Sequence, residues 1–184
     1  MVQRYEVRLS GSGGQGMILA GIILAEAIGI YDGKNVAQTQ SYGPEARGGA
    51  SRSDVIVSEE QIDYPKAEQL DLLLALTNEA YQSYHRYLKT TGLLIYDKDA
   101  VTLSEKAVSY QKVGYPIVAT ARQYIGKEIV ANIVALGIIA EKAGIVSKES
   151  LEKAVLNRVP KGTEALNRRA LDAGHQLAQG KDLL

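Results

Sequence analysis

The residues between Ser10 and Gly16, in the order Ser10-Gly11-Ser12-Gly13-Gly14-Gln15-Gly16, are the part of this chain best suited to holding a ligand. Gly11, Gly13 and Gly16 satisfy G-x-G-x-x-G, which carries weight only between a strand and a helix. Both flanks meet that condition. Tyr5, Val7 and Leu9 alternate before the loop, as in a strand. After it Met17, Leu19, Ala20, Ile23, Leu24, Ala27 and Ile28 recur at steps of three and four, as in a helix. Glycine lets such a chain turn tightly and lets backbone N–H groups come close to a phosphate, while the helix N-terminus adds partial positive charge. The same glycines also serve a plain packing purpose, allowing a strand and a helix to meet closely.

A dinucleotide is the first ligand to weigh. Such sites place Asp or Glu at the end of the second strand, to accept from a ribose hydroxyl. Here that end reads Gln38-Thr39-Gln40, and Asp32 falls too early, in the turn before the strand. A phosphate ligand other than a dinucleotide fits better. A second segment, Tyr42-Gly43-Pro44-Glu45-Ala46-Arg47-Gly48-Gly49, follows no regular period. Arg47 offers a rigid fork of donors for a carboxylate or phosphate, and Gly48 and Gly49 would admit another backbone. The bland alternative for Arg47 is a surface pair with Glu45 or Asp54.

The elements that must position these residues follow from the pattern. Tyr5–Leu9 is a first strand and Asp32-Gly33 ends the first helix. Asn35–Gln40 is a second strand, expected parallel and paired to the first through a right-handed crossover. Ser51–Ser58 is a strand antiparallel to the second, so the sheet is mixed. Leu70–Leu76 is a continuous apolar run, as in a strand buried on both faces. Thr77 or Asn78 caps a helix with Tyr81, Tyr84 and Leu88 on one face. Gly92–Tyr96 is another buried strand, and Ala107–Gln111 a weaker one. From about Ala119 helices take over: Ile129–Lys142 closing at Gly144, a helix capped by Ser147 and running to about Leu156, and a last helix near Thr163–Gln179 stopped by Gly180. The expectation is an α/β fold: a single Rossmann-like three-layer domain over 1–184, with a mixed, mostly parallel sheet and a helical C-terminal tail.

Composition narrows the chemistry. The 184 residues carry 21 Lys plus Arg against 21 Asp plus Glu, so no global field favours nucleic acid or an anionic membrane. There is no cysteine, which excludes disulfides, thiolate zinc, cysteine nucleophiles and cysteine-ligated iron–sulfur clusters in this chain. His85 and His175 stand far apart without a ligand pattern, and no metal site is expected. No paired carboxylates or catalytic triad appear, so no catalytic residue is assigned. The start lacks a long apolar segment and the apolar runs are too short to span a bilayer, so a cytoplasmic protein is expected. Eleven tyrosines stand against no Phe or Trp.

Taken together, GSGGQGMILAGIILAEA, SYGPEARGGASRSDVIVS and NIVALGIIAEKAGIVSKESLEKAV resemble the gamma subunit of 2-oxoacid:ferredoxin oxidoreductases, over essentially the whole chain. Within that family Tyr42–Ser53 is most similar to the 2-oxoglutarate type. Pyruvate-type chains tend to differ around Ala46 and to lack the second glycine, Gly49. Indolepyruvate-type chains share Arg47-Gly48-Gly49 but differ before it. The resemblance implies a complex that converts a 2-oxoacid, coenzyme A and oxidised ferredoxin into acyl-CoA, carbon dioxide and reduced ferredoxin. It implies thiamine diphosphate and [4Fe-4S] clusters in partner subunits: alpha, beta and a ferredoxin-like delta. For this chain it implies coenzyme A binding and assembly, with no activity in isolation. The cofactor-binding candidates are Gly11, Ser12, Gly13, Gly14, Gln15 and Gly16, with Arg47 beside them. The alternatives are a gamma subunit for a branched-chain 2-oxoacid or pyruvate, a stand-alone NAD(P)- or flavin-dependent oxidoreductase using Gly11–Gly16, and a structural subunit whose loop binds nothing.

Overall fold

The computed structural model describes residues 4–41, 50–104 and 109–184. The alternation of the first strand has a consequence that polarity alone conceals. In β1 (Arg4–Gly11) Val7 and Leu9 face one side of the sheet, while Glu6, Arg8 and Ser10 face the other, and these polar residues are buried as well. Their burial is tolerable because each is satisfied. The Glu6 carboxylate accepts from the backbone N–H groups of Glu68 and Gln69 at 2.7 and 2.9 Å. Arg8 forms a two-pronged pair with Asp54 at 2.7 and 2.8 Å.

Among the described residues six strands form one sheet in the order β2-β3-β1-β4-β5-β6. They are β1, β2 (Asn35–Ser41), β3 (Ser51–Ser58), β4 (Leu70–Ala75), β5 (Leu88–Asp97) and β6 (Gln111–Tyr115). β3 runs antiparallel to both β1 and β2, and β1, β4, β5 and β6 run parallel to one another. The sheet is therefore mixed and mostly parallel, as expected. The direct pairing of β1 with β2 is corrected: β3 lies between them. The two strands are parallel in direction, but β3 runs antiparallel between them, with its Val55 and Val57 in the larger core. β4 is buried on both faces, with Leu72 and Leu74 in the larger core and Leu70, Leu73 and Ala75 in the smaller one.

The helices distribute unevenly. α1 (Met17–Glu26, continued by a wider turn over Ala27–Tyr31), α3 (Ile117–Ala119, continued over Thr120–Ile125), α4 (Ala131–Ala143), α5 (Lys148–Arg158) and α6 (Glu164–Ala178) contribute to the larger core on one face. On the other face lie α2 (Asn78–Tyr84) and the chain around Val101, over β4 and β5. Thr77 caps α2, its side chain accepting from Ala80 N–H at 3.2 Å. Ser147 caps α5 in the same way, accepting from Ser150 N–H. α4 is buried over most of its length. It crosses α6 without side chains between them: a Cβ on Gly174 would stand 2.0 Å from the Val134 carbonyl oxygen, and one on Gly137 2.3 Å from that of Leu171.

Some boundaries differ from expectation. α2 stops at Tyr84 and Leu88 opens β5, so Leu88 does not share the helix face of Tyr81. β5 extends four residues earlier than Gly92, because pairing with β4 continues across a bulge between Leu70 and Leu72. The last strand is Gln111–Tyr115; Ala107 and Val108, in the strand expected before it, lie outside the described residues. α4 begins at Ala131 after a single tighter turn over Glu128–Val130.

Candidate functional site

β1 ends at Gly11, and the chain leaves the sheet as a tight turn before α1 starts at Met17. Two contacts close this turn. The Gln15 N–H donates to the Ser12 carbonyl at 3.3 Å, and the Gln15 side-chain oxygen accepts from the Ser12 N–H at 2.8 Å. Gln15 is thus a brace of the loop, lying where a Cβ on Gly11 would have to go, at 2.4 Å. Gly14 has φ 89° and Gly16 φ 72°, conformations that L side chains avoid. A Cβ built on Gly13 or Gly14 would meet nothing within 4 Å, so the backbone there is open to a ligand.

Gly16 caps α1 with its backbone alone, and no acidic side chain stands in the first turn of that helix. The positive end of the helix dipole is therefore not neutralised from within the helix. Far along the chain, Asn132 at the start of α4 donates to the Gly16 carbonyl at 3.2 Å. Its amide nitrogen stands 2.5 Å from where a Gly16 Cβ would be, so the two residues fit only because position 16 is glycine. This contact ties the loop to the C-terminal helices, and through the close α4–α6 crossing to the rest of the tail.

Two clefts flank the loop. One, of about 230 Å³, is lined by Gly14, Gln15, Val118, Glu128 and Ile129. The other, of about 240 Å³, is largely apolar and runs from Gly16 past Leu19, Ile133, Val159 and Leu166. Ile129 lines both and is 69% exposed. Its aliphatic side chain stands between the two clefts. Glu128 would repel an anion, but Arg122 pairs with it at 2.7 Å. The first cleft's wall is fixed by Asp97. Its buried carboxylate accepts from the N–H groups of Val118, Asp99 and Ala100 at 2.7, 2.9 and 3.2 Å. Burial pushes its pKa above the ordinary range, against the pull of those donors.

The structure brings Gly11, Ser12, Gly13, Gly14, Gln15 and Gly16 into one loop. Arg47, with the rest of Tyr42–Gly49, lies outside the described residues. The missing ribose acid takes on a different physical basis. The strands beside β1 are β3 and β4, so the end of β2 is not the relevant place. At the loop end of the sheet those neighbours present Ser51 and Ala75, neither of them acidic. Sequence reading missed Asn132, Ile129 and Asp97. Asn132 did leave a signal, as the lone polar side chain within Ile129–Ala140. Among the described residues no group of three metal-ligating side chains occurs, and no helix is long and apolar enough to cross a membrane.

Comparison with known proteins agrees with this architecture. Residues 6–177 match the family described as pyruvate ferredoxin/flavodoxin oxidoreductase. The chain is 49% identical over 179 residues to the 2-oxoglutarate synthase subunit KorC of Methanocaldococcus jannaschii, covering 96% of this chain and 95% of that one. The gamma subunit of a keto/oxoacid ferredoxin oxidoreductase from Geobacter sulfurreducens is 52% identical, with a TM-score of 0.88 and 96% and 97% of the two chains covered. The 2-oxoglutarate:ferredoxin oxidoreductase of Magnetococcus marinus, solved with 2-oxoglutarate, coenzyme A and succinyl-CoA bound, shares the fold. Its TM-score is 0.85 at 23% identity, over 99% of this chain and 32% of that longer one. From the near-complete family match and the full-length identity it follows that this chain belongs to the pyruvate ferredoxin/flavodoxin oxidoreductase family.

Proposed function

We propose that this chain is the gamma subunit of a 2-oxoglutarate:ferredoxin oxidoreductase, acting in the cytoplasm, and that its glycine loop holds a phosphate of coenzyme A. The observation that carries the ligand reading is the loop's geometry. Gly13 and left-handed Gly14 leave open backbone beside the uncompensated N-terminus of α1. That arrangement is a ready site for an anion. The residues present fit coenzyme A on two further counts. The strands beside β1 offer no ribose acid, and a largely apolar cleft adjoins the loop. Coenzyme A supplies the thiol that accepts the acyl group. Gly13 and Gly14 contribute unhindered backbone, Gln15 keeps the turn closed, and Ile129 shields the ligand from water.

The chain has no cysteine and therefore ligates no cysteine-bound cluster. Thiamine diphosphate, the [4Fe-4S] clusters and the ferredoxin contact are assigned to partner subunits, the alpha, beta and delta chains. The full-length likeness to a 2-oxoglutarate synthase subunit supports the 2-oxoglutarate choice over branched-chain 2-oxoacids or pyruvate. Calorimetric titration of the assembled complex with coenzyme A and, separately, with NAD tests the ligand reading. Coenzyme A binding with no NAD binding supports it. NAD binding to the lone chain would favour a stand-alone nucleotide-dependent oxidoreductase instead.

A further inference from the structure

Among the described residues, the sheet face opposite α1 is covered only in part. α2 and the chain around Val101 lie over β4 and β5. Over β1, β3 and β2 there is instead a concavity of about 670 Å³, lined by Arg8, Arg52, Tyr64, Lys66 and Tyr87 among others. Its floor is the Arg8–Asp54 pair, whose side chains are 3% and 7% exposed. The Arg8 guanidinium also lies 4.9 Å from the ring centre of Tyr84 and 5.5 Å from that of Tyr87.

Two further cations line the walls. Arg52 stands over the Tyr84 ring at 5.6 Å, and Lys66 near the Tyr64 ring at 5.9 Å. Among the described residues no carboxylate is within ion-pair distance of either. Both carboxylates of the concavity are engaged, Asp54 by Arg8 and Glu68 by the Tyr64 hydroxyl at 3.3 Å. The concavity thus carries three cations against two carboxylates, set among tyrosines, and Arg and Tyr are the side chains enriched at protein interfaces.

The charge of the walls indicates the kind of occupant. The Arg8 and Arg52 guanidiniums both face the Tyr84 ring, and Lys66 precedes Ala67, whose carbonyl Arg8 holds at 3.3 Å. A basic, tyrosine-lined concavity with cations beyond its paired floor complements an acidic segment by charge. We propose that this concavity receives an acidic segment of a partner subunit, one carboxylate pairing with Arg52 and another with Lys66, with Tyr64 and Tyr87 closing over it. The inference rests on the reading of this chain as an assembly subunit, and adds where and with what chemistry a partner docks.

The test co-expresses the chain with its partner subunits and measures association by biolayer interferometry across a salt series. Arg52→Glu and, independently, the exposed Lys66→Glu should each weaken association by at least about tenfold and flatten its salt dependence. Arg52→Lys should retain most of the affinity, and coenzyme A binding should be unchanged in all three. Lys66 lies at the surface, so its variant remains informative even where Arg52→Glu folds poorly. Association equal to wild type in both charge reversals overturns the docking site and leaves the functional reading standing. Saturable binding of inorganic pyrophosphate, abolished by Arg52→Glu with association untouched, would overturn it in favour of a small-anion site. Failure of the wild-type chain to associate at all overturns both the docking site and the functional reading.

Discussion

Replacing Gly14 separates a backbone effect from a packing effect, because the structure makes the second vanish. A Cβ there meets nothing within 4 Å, yet φ is 89°. Gly14→Ala therefore costs only the penalty for an L residue in the left-handed region, about 1–2 kcal/mol. At about 2–4 °C per kcal/mol for a domain of this size, the melting temperature should fall by about 2–8 °C. Gly14→Val should cost more, since a β-branched residue tolerates positive φ least, and Gly14→Asn less, since Asn visits that region readily. Relief of the strain by rotating the peptide would turn an N–H away from the ligand. Loss of one hydrogen bond to a charged phosphate, about 1.5–3 kcal/mol, corresponds to roughly 10- to 150-fold in affinity. Thermal melts of the three variants, paired with calorimetric coenzyme A titrations of their complexes, give the order Asn, Ala, Val in both readouts. Unchanged coenzyme A affinity in Gly14→Val, with melting reduced as expected, would refute the loop as the ligand site while leaving its conformation intact. Unchanged melting would refute the strain itself.

Three other outcomes follow from the packing and charges. Gly174→Ala places a methyl group against the Val134 carbonyl, where only backbone could yield, and should cost about 1–3 kcal/mol or more in urea unfolding. Asp54→Ala leaves Arg8 buried and unpaired and should cost about 3–5 kcal/mol, whereas the double replacement Arg8→Met with Asp54→Leu should recover much of that loss. Burial, helped by Lys148, lowers the pKa of His175 below its ordinary 6.5, against the opposing pull of Glu141 and Asp172. Its neutral form is thus favoured by folding. The associated stability is complete above pH 6.5 and is lost as the pH falls from there through the lower folded value. Urea midpoints between pH 7.5 and 5 should show a smaller acid-side loss in His175→Gln than in wild type.

The sequence made the loop, the first helix and β4 legible because their signals are local: a glycine spacing, a helical period and a run of leucines. The neighbour of β1 was not, since pairing across the sheet depends on where β3 inserts, and no residue of β1 records it. Alternation in β1 also concealed that Glu6 and Arg8 are buried, because their partners, Asp54 and the backbone at Glu68 and Gln69, come from other parts of the chain. Asn132 was visible as an interruption but not as a ligand of Gly16, which lies 116 residues earlier. The glycines at 137 and 174 carry no polar signal, and only the crossing of α4 and α6 shows what they allow.

On the proposed function, this chain is a required part of a 2-oxoglutarate- and coenzyme A-dependent electron-transfer complex. The most direct test of that role is reduction of a viologen dye by the complex reconstituted with and without this chain, with each 2-oxoacid supplied in turn. Activity with 2-oxoglutarate that needs both coenzyme A and this chain is the predicted result. Equal activity of a complex lacking the chain would show that the chain has no such role.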